Sequence, residues 1–152
     1  MTGISVRSIN PIFQRSRERF AQECEKRSPV SGVLEADESY FGPHRVRGKG
    51  GRGAGRKIIV FGLLKCDDKV YTQILPNVSR AALQAVIRGH AELDSTIHTD
   101  GWSGYDGLVD LGYARHFRVH HGDNEFAAGA NHINGIESFW GYAKHRLTKF
   151  HG

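Results

Sequence analysis

Residues 58–66, IIVFGLLKC, form an almost wholly apolar run that is rich in β-branched side chains at its start. A run of this length and composition predicts a strand that is buried on both faces of a sheet. The polar stretch DDK (67–69) predicts a turn, and VYTQILP (70–76) predicts a strand that returns beside the first. The centre of the chain is therefore expected to form a β-hairpin.

Shorter strands are expected on either side of this hairpin. VLEAD (33–37), TIHTD (96–100) and ARHFRVHH (114–121) have the composition of strands and are bounded by glycine or polar residues. The later strands are separated by helical patterns, whereas the first three follow one another directly. This order predicts a mixed α/β sheet.

Four helices are expected around these strands. Asn10 and Pro11 resemble a helix start, which predicts a helix over residues 11–26. Ser79 can cap a second helix that ends near residue 90, and a short helix is expected over residues 105–111, ended by a glycine. The last helix has one apolar face, formed by Ile133, Ile136, Trp140, Ala143 and Leu147.

Length and composition exclude several classes of protein. A chain of 152 residues with 39% hydrophobic residues is expected to form one globular domain with its own core. No apolar run approaches the roughly 20 residues that cross a bilayer, and the N-terminus does not resemble a signal peptide, so cytoplasmic residence is expected. Cys24 and Cys66 are too few for a disulfide framework or a cysteine-rich zinc site.

The positive charge is concentrated in one segment. The net charge is +5, and HRVRGKGGRGAGRK (44–57) contains six Lys or Arg residues and no acid, so the rest of the chain carries 5 − 6 = −1. Such a segment suggests contact with a polyanion, nucleic acid above all, although a solubilising loop has the same composition. It lacks the pattern of a P-loop.

Three acids are expected at positions where burying a carboxylate costs solvation free energy unless something compensates for it. Asp37 ends the first strand, Asp100 ends the fourth, and Glu137 lies beside the apolar face of the last helix. Converging carboxylates suit hard divalent cations, and Lys144, two helical turns beyond Glu137, suits a phosphate. Glu35 and Glu38 are rivals of Asp37: alternation places Glu35 on the face of Asp37 and Glu38 on the other.

Five blocks of sequence together resemble bacterial insertion-sequence transposases of the DDE class. The similarity runs from about residue 17 to residue 152, and the closest group is the one in which a zinc ribbon precedes the catalytic domain. Thirty-six residues separate Asp100 from Glu137, close to the spacing typical of these enzymes, and Lys144 matches their terminal motif. The blocks, in order, are ADESYFG (36–42), RVRGKGGRGAGRK (45–57), VFGLLK (60–65), HTDGWSGY (98–105) and HINGIESFWGYAKHRL (132–147).

The resemblance implies an RNase H-like fold with strand order 3-2-1-4-5, formed by residues 30–152 after an N-terminal helical segment over residues 1–29. It also implies two Mg²⁺ or Mn²⁺ ions, bridged by Asp37 and completed on either side by Asp100 and Glu137. Water would cut the end of the element, and the freed 3′-hydroxyl would attack target DNA while Lys144 holds a phosphate. The implied protein binds double-stranded DNA in the nucleoid, as a homo-oligomer and without a membrane.

Two departures from the family pattern leave alternatives open. The chain has no CxxC pair that could form a zinc ribbon and ends shortly after the last helix, so we expect a form truncated at both ends. A simpler RNase H-like nuclease or resolvase would use the same fold and metals. A remnant that only binds DNA would need the basic segment but not the acids.

Histidine and aromatic residues have competing interpretations. His98, His120, His121 and His132 lack the helical spacing of a zinc hydrolase. His98 shares the strand face of Asp100 and His132 opens the last helix, so we expect these two to support the site rather than bind metal. Trp102 and Tyr105, just after Asp100, are candidates for stacking on an unpaired base. Phe139 and Trp140 are expected to lie in the core.

The basic segment generates a first prediction. Neutralising Arg45, Arg47, Lys49 and Arg52 together should flatten the dependence of DNA affinity on salt, because each phosphate contact releases a counterion. Arg56 and Lys57 complete the segment and would retain part of the slope. Fluorescence anisotropy between 50 and 200 mM salt, roughly the range over which such contacts are lost, measures it. An unchanged slope would exclude the segment as a DNA contact.

Overall fold

The fold is an α/β sandwich built on one five-stranded sheet. The computed structural model describes residues 5–26, 29–42, 57–65, 69–119 and 133–148. Its elements, in chain order, are α1 (Val6–Glu25), β1 (Val33–Phe41), β2 (Ile58–Lys65), β3 (Lys69–Leu75), α2 (Arg80–His90), β4 (Thr96–Asp100), a 3-10 helix (Ser103–Tyr105), β5 (Arg115–Val119) and α3 (Asn134–Leu147).

The sheet has the order β3-β2-β1-β4-β5, as the resemblance to DDE transposases implied. β1, β2 and β3 form an antiparallel meander, in which Asp37 is paired with Gly62. β4 and β5 run parallel to β1, and Ala36 is paired with Thr99. The predicted mixed sheet is confirmed, and β1 lies at its centre.

Alternation along β1 divides its side chains between two cores. Leu34 and Ala36 belong to the larger core, on the face covered by α2 and the segment that follows β4. The smaller core lies on the opposite face and is formed by Ile133, Ile136 and Trp140 of α3 with partly buried side chains of the sheet. The acids at positions 35 and 37 point to this second face, under α3.

Gly62 allows α3 to approach the sheet closely. A Cβ atom at this position would lie 2.5 Å from Trp140 Cζ2 and 2.8 Å from Ile136 Cδ1. The indole therefore occupies the space that a side chain on β2 would fill, directly across from Asp37. The sequence shows a glycine within the apolar run but not why a glycine is needed there. The residues that it contacts, on α3, are more than 70 positions away in the sequence.

Several predicted elements differ in extent from the observed ones. α1 begins at Val6, with Ser5 Oγ accepting the Ser8 N–H at 3.2 Å, so Pro11 lies inside the helix and Asn10 is not its cap. The predicted helix over residues 105–111 is a 3-10 helix followed by turns. Ser79 caps α2 as predicted, accepting the Ala82 N–H at 3.3 Å.

The apolar face of α3 is shorter than predicted, because Leu147 is exposed. Among the helices described, none is both long and apolar enough to cross a membrane. Residues 67 and 68 of the predicted turn and most of the basic segment 44–57 fall outside the described residues, whereas Lys69 begins β3.

The packing of Trp140 on Gly62 generates a second prediction. Gly62→Ala should lower the free energy of unfolding by about 1 to 3 kcal/mol, because the new methyl group overlaps the indole ring. Urea denaturation measures the change. Gly141→Ala is the matched control: a Cβ there meets no atom within 4 Å, so it should stabilise α3 by about 0.5 to 1 kcal/mol. Equal stability of the two variants would contradict the proposed packing.

Candidate functional site

Asp37 lies half-buried in the middle of β1, on the face covered by α3. Burial, followed by the negative charges of Glu38, Asp100 and Glu137, raises the pKa of its carboxyl group from 3.8 to about 7. A hydrogen bond from the backbone of Glu38 partly opposes this shift. Because the charges of Asp100 and Glu137 both contribute to the raised pKa, these two predicted acids lie near Asp37.

Asp100 lies beside Asp37 because their strands are parallel neighbours. The pair Ala36 and Thr99 precedes both acids in the register of β1 and β4, and Asp100 ends its strand. Its Oδ1 accepts the backbone N–H of Trp102 at 2.9 Å, which closes a turn after the strand. This turn fixes the carboxylate at the end of the sheet.

Thr99 and His116 support the backbone under Asp100. The hydroxyl of Thr99 donates to the Asp100 carbonyl at 2.8 Å, and its oxygen lies 2.9 Å from His116 Nε2. Because the hydroxyl has one proton, Nε2 of the imidazole is the donor in the second bond. Burial, and then the charge of Arg118, lower the pKa of His116 to about 4, so the ring is neutral at pH 7.

Glu137 is an exposed residue in the first turn of α3. The packing of this helix onto β1 and β2 brings its charge close enough to act on Asp37. All three predicted acids therefore lie at one face of the sheet, although they come from a central strand, its neighbour and a helix. The resemblance to DDE transposases implied that these three acids converge, whereas the order of elements alone did not decide it.

Glu35 and Glu38, the two alternatives to Asp37, have different surroundings. They lie on the faces of β1 that the alternation of side chains along a strand predicted. Glu35 is buried and accepts the Ile136 N–H at 2.7 Å, at the start of α3. Glu38 lies on the opposite face, where Tyr105 donates its hydroxyl proton to Oε2 at 2.8 Å. The bond between Glu35 and α3 was missed in the sequence, where the only hint is a glycine in the first turn of the last helix.

The aromatic residues after Asp100 form part of the larger core. Tyr105 has no exposed surface, so the interpretation that it stacks on a base is wrong. Its burial and the charge of Glu38 raise its pKa well above 10.0. Trp102 is half-buried and packs against the same core. Trp140 lies in the smaller core with Phe139 against it, as predicted.

His98 is a buried residue on the sheet face of Asp100 and stacks on Phe117, with ring centroids 5.2 Å apart. This is the supporting position that the sequence predicted. His120, His121 and His132 fall outside the described residues.

Lys144 is an exposed residue two turns beyond Glu137, and its Nζ lies 5.9 Å from the centre of the Phe41 ring at the end of β1. Lys57 is exposed immediately before β2, which pairs with the same end of β1. The other predicted DNA contacts, at positions 45, 47, 49, 52 and 56, lie outside the described residues. Two cations are thus placed at the end of the sheet that Phe41 occupies.

The carboxylates of Asp37, Asp100 and Glu137 suit hard divalent cations, which prefer carboxylate oxygens. A cation there would offset the repulsion that raises the pKa of Asp37. Within the described ranges, however, no three His, Cys, Asp or Glu side chains are close enough together to form a ready-made cage. The acids are thus near neighbours rather than preassembled ligands.

Comparison with known proteins assigns the chain to a family. The family model of the ISXO2-like transposase domain matches residues 29–152, which is most of the chain. The chain belongs to the ISXO2-like transposase domain family. The match includes the three acids and begins just before β1.

Two curated relatives of this ISXO2-like domain agree with the assignment. An "uncharacterized transposase-like protein" of Haemophilus influenzae is 44% identical over 89 residues, which cover 59% of this chain and 69% of that protein. An "uncharacterized protein in transposable element ISH50" of Halobacterium salinarum is 30% identical over 165 residues, covering 95% of this chain and 54% of that protein. The chain thus spans about half of the halobacterial relative. No solved structure gives a significant match.

The surroundings of Asp37 generate a third prediction. Between pH 4 and pH 7 the folded chain keeps a proton that the unfolded chain releases, so the free energy of unfolding should fall as pH rises through this window. Asp37→Asn cannot ionise. In EDTA at pH 8 it should therefore be more stable than the wild type by roughly 2 to 4 kcal/mol.

Urea denaturation at several pH values in EDTA measures this effect. Asp94→Asn, at an exposed position before β4, is the control and should keep the slope of the wild type. If Asp37→Asn also kept that slope, Asp37 would not be the group that destabilises the chain at neutral pH.

Proposed function

We propose that this chain is the catalytic core of a DDE transposase, which cuts DNA at the ends of an insertion sequence and joins those ends to target DNA. The observation that carries the proposal is the clustering of Asp37, Asp100 and Glu137 on one face of the sheet, in a chain of a transposase family. Neither finding would be sufficient alone, because the fold serves many functions.

The proposed cofactor is a pair of Mg²⁺ or Mn²⁺ ions. When bound, two such ions activate the attacking oxygen and stabilise the leaving oxygen of a phosphodiester displacement. Asp37 is the proposed shared ligand because it is the most central of the three acids and feels the charge of both others. Asp100 and Glu137 are the proposed ligands on either side.

The chain's own residues bind and orient the DNA. Lys144 provides an exposed positive charge two turns from Glu137, which suits a phosphate near the reacting strand. Lys57 and the preceding arginines of the basic segment are the proposed contacts to the backbone of double-stranded DNA. The raised pKa of Asp37 favours its protonated form in the metal-free chain, so cation binding should release a proton.

Further features of the proposal follow from the resemblance to DDE transposases. We expect the active complex to contain more than one copy of the chain and to act in the cytoplasm, on the nucleoid. The division into a helical segment over residues 1–29 and a catalytic core over residues 30–152 stays a prediction.

A fourth prediction tests the function. Asp37→Asn, Asp100→Asn and Glu137→Gln should each reduce metal-dependent cleavage by a factor on the order of a thousand while leaving DNA binding in place, because each removes one proposed ligand charge. Cleavage of end-containing DNA in Mg²⁺ or Mn²⁺ is measured on a gel. The control Asp94→Asn removes an exposed acid outside the cluster and should cut like the wild type.

Supplying pre-cut ends together with target DNA separates the alternatives. Joined products indicate a transposase, whereas hydrolysis alone indicates a nuclease or resolvase of the same fold. DNA binding without either reaction indicates a remnant. If Glu38→Gln abolished cleavage while Asp37→Asn did not, the assignment of the first ligand would be wrong.

A further inference from the structure

We propose that Glu35 is a positioning residue, which holds Glu137 in place relative to Asp37. The inference rests on the proposed function, because it concerns the assembly of the same acidic site. It starts from a side chain that the proposed chemistry does not use: a glutamate that is only 1% exposed, on the central strand.

The contact between Glu35 and α3 is short and buried. The backbone N–H of Ile136 donates to Glu35 Oε2 at 2.7 Å, and Ile136 has no exposed surface. A hydrogen bond from an amide to a carboxylate is stronger than one between neutral groups, and it is stronger still where water is excluded. The N-terminus of a helix also carries partial positive charge, which favours a carboxylate there.

The N-cap residue of α3 provides no side-chain cap in the part of the chain that the structure describes. Ile133, at the N-cap position, makes no side-chain hydrogen bond to the helix, so a carboxylate from β1 satisfies one of the free amide groups instead. Gly135 makes room for it. A Cβ atom there would lie 2.9 Å and 3.2 Å from the two oxygens of Glu35 and 2.5 Å from Leu64 Cδ2.

This bond joins a residue close to Asp37 on β1 to the residue next to Glu137 on α3. Glu35 and Asp37 are two residues apart on the same face of β1, and Ile136 directly precedes Glu137. Loosening the first turn of α3 would therefore move Glu137 while Asp37 and Asp100 stay on the sheet. Glu35 acts through Ile136 and does not need to touch DNA or a cation.

A ligand role for Glu35 is the competing explanation, and the two roles respond differently to substitution. Glu35→Gln keeps an oxygen that can accept the Ile136 N–H but removes the negative charge that a metal ligand needs. Glu35→Leu has similar size and removes the acceptor as well. A positioning residue tolerates the first change and not the second.

The experiment compares these two variants with Val86→Ala. Val86 is buried in the larger core on the other face, so its substitution destabilises the fold without touching α3. Three quantities are measured well below the melting temperature: hydrogen exchange in residues 133–140, Mn²⁺ affinity by calorimetry, and the kcat and KM of DNA cleavage.

Glu35→Leu should exchange at least about tenfold faster in the first turn of α3, because the cap is lost and the turn opens locally. It should also bind Mn²⁺ and turn over about 10- to 100-fold less well, as expected for the loss of a group that orients a ligand, with the KM for DNA unchanged. Glu35→Gln should stay within about threefold of the wild type in all three quantities, because its amide oxygen still accepts the bond. Val86→Ala should lower the melting temperature only.

Two results would overturn the proposal. Loss of Mn²⁺ affinity in Glu35→Gln with α3 still protected would make Glu35 a ligand. Faster exchange in Glu35→Leu with unchanged affinity and kcat would make it a simple helix cap. Failure of the proposed function looks different: the wild-type chain itself would neither bind Mn²⁺ nor cut DNA, and the catalytic role of Glu35 would fall with it.

Discussion

The close approach of α3 to the strands β1 and β2 is the constraint on which the candidate site depends. Two glycines permit it: Gly62 leaves space for the Trp140 indole, and Gly135 lets the start of the helix lie on the Glu35 carboxylate. Larger residues at either position would push the helix outward. Glu137 is carried on this helix, so its distance from the sheet is set by contacts in which it takes no part.

The same packing has an electrostatic cost. Asp37 is half-buried near acids from β1, β4 and α3, and burial together with their charges raises its pKa, so the metal-free fold disfavours its ionisation. Glu38 adds to this charge from the other face, although Tyr105 compensates by donating a hydrogen bond. A fold selected for stability alone would not concentrate four carboxylates here. Such a local conflict is typical of a functional site, where the missing compensation comes from a bound partner.

Much of the fold could be predicted because its signals are local. The run at residues 58–66 indicates a buried strand, Ser79 caps α2, and the spacing of Ile133, Ile136 and Trp140 defines the buried face of α3. Alternation along β1 also assigned Glu35 and Glu38 to opposite faces correctly. These patterns depend only on the periods of helices and strands.

The sequence predictions fail where long-range contacts, or capping residues elsewhere in the chain, override such local signals. Pro11 marks a helix start by propensity, yet α1 begins five residues earlier, where Ser5 provides the cap. The segment after β4 has the composition of a helix, but only a short 3-10 helix forms there. Tyr105, at its end, is buried in the core and hydrogen-bonded to Glu38. The bond from Ile136 to Glu35 spans 101 residues, and Gly135 is its only local signal.

The two halves of α3 have different tasks, and this division explains why a helix suits the third acid. The first half is fixed to the sheet by Ile136 and Trp140, whereas the second half, from Lys144 onward, is exposed. The helix dipole favours this distribution, since it stabilises the negative charge of Glu137 in the first turn and the cations Lys144 and Arg146 in the last. A strand could hold a carboxylate as rigidly, but it could not also extend a row of positive charge away from the sheet. One rigid element thus joins a negative region suited to cations with a positive region suited to phosphates.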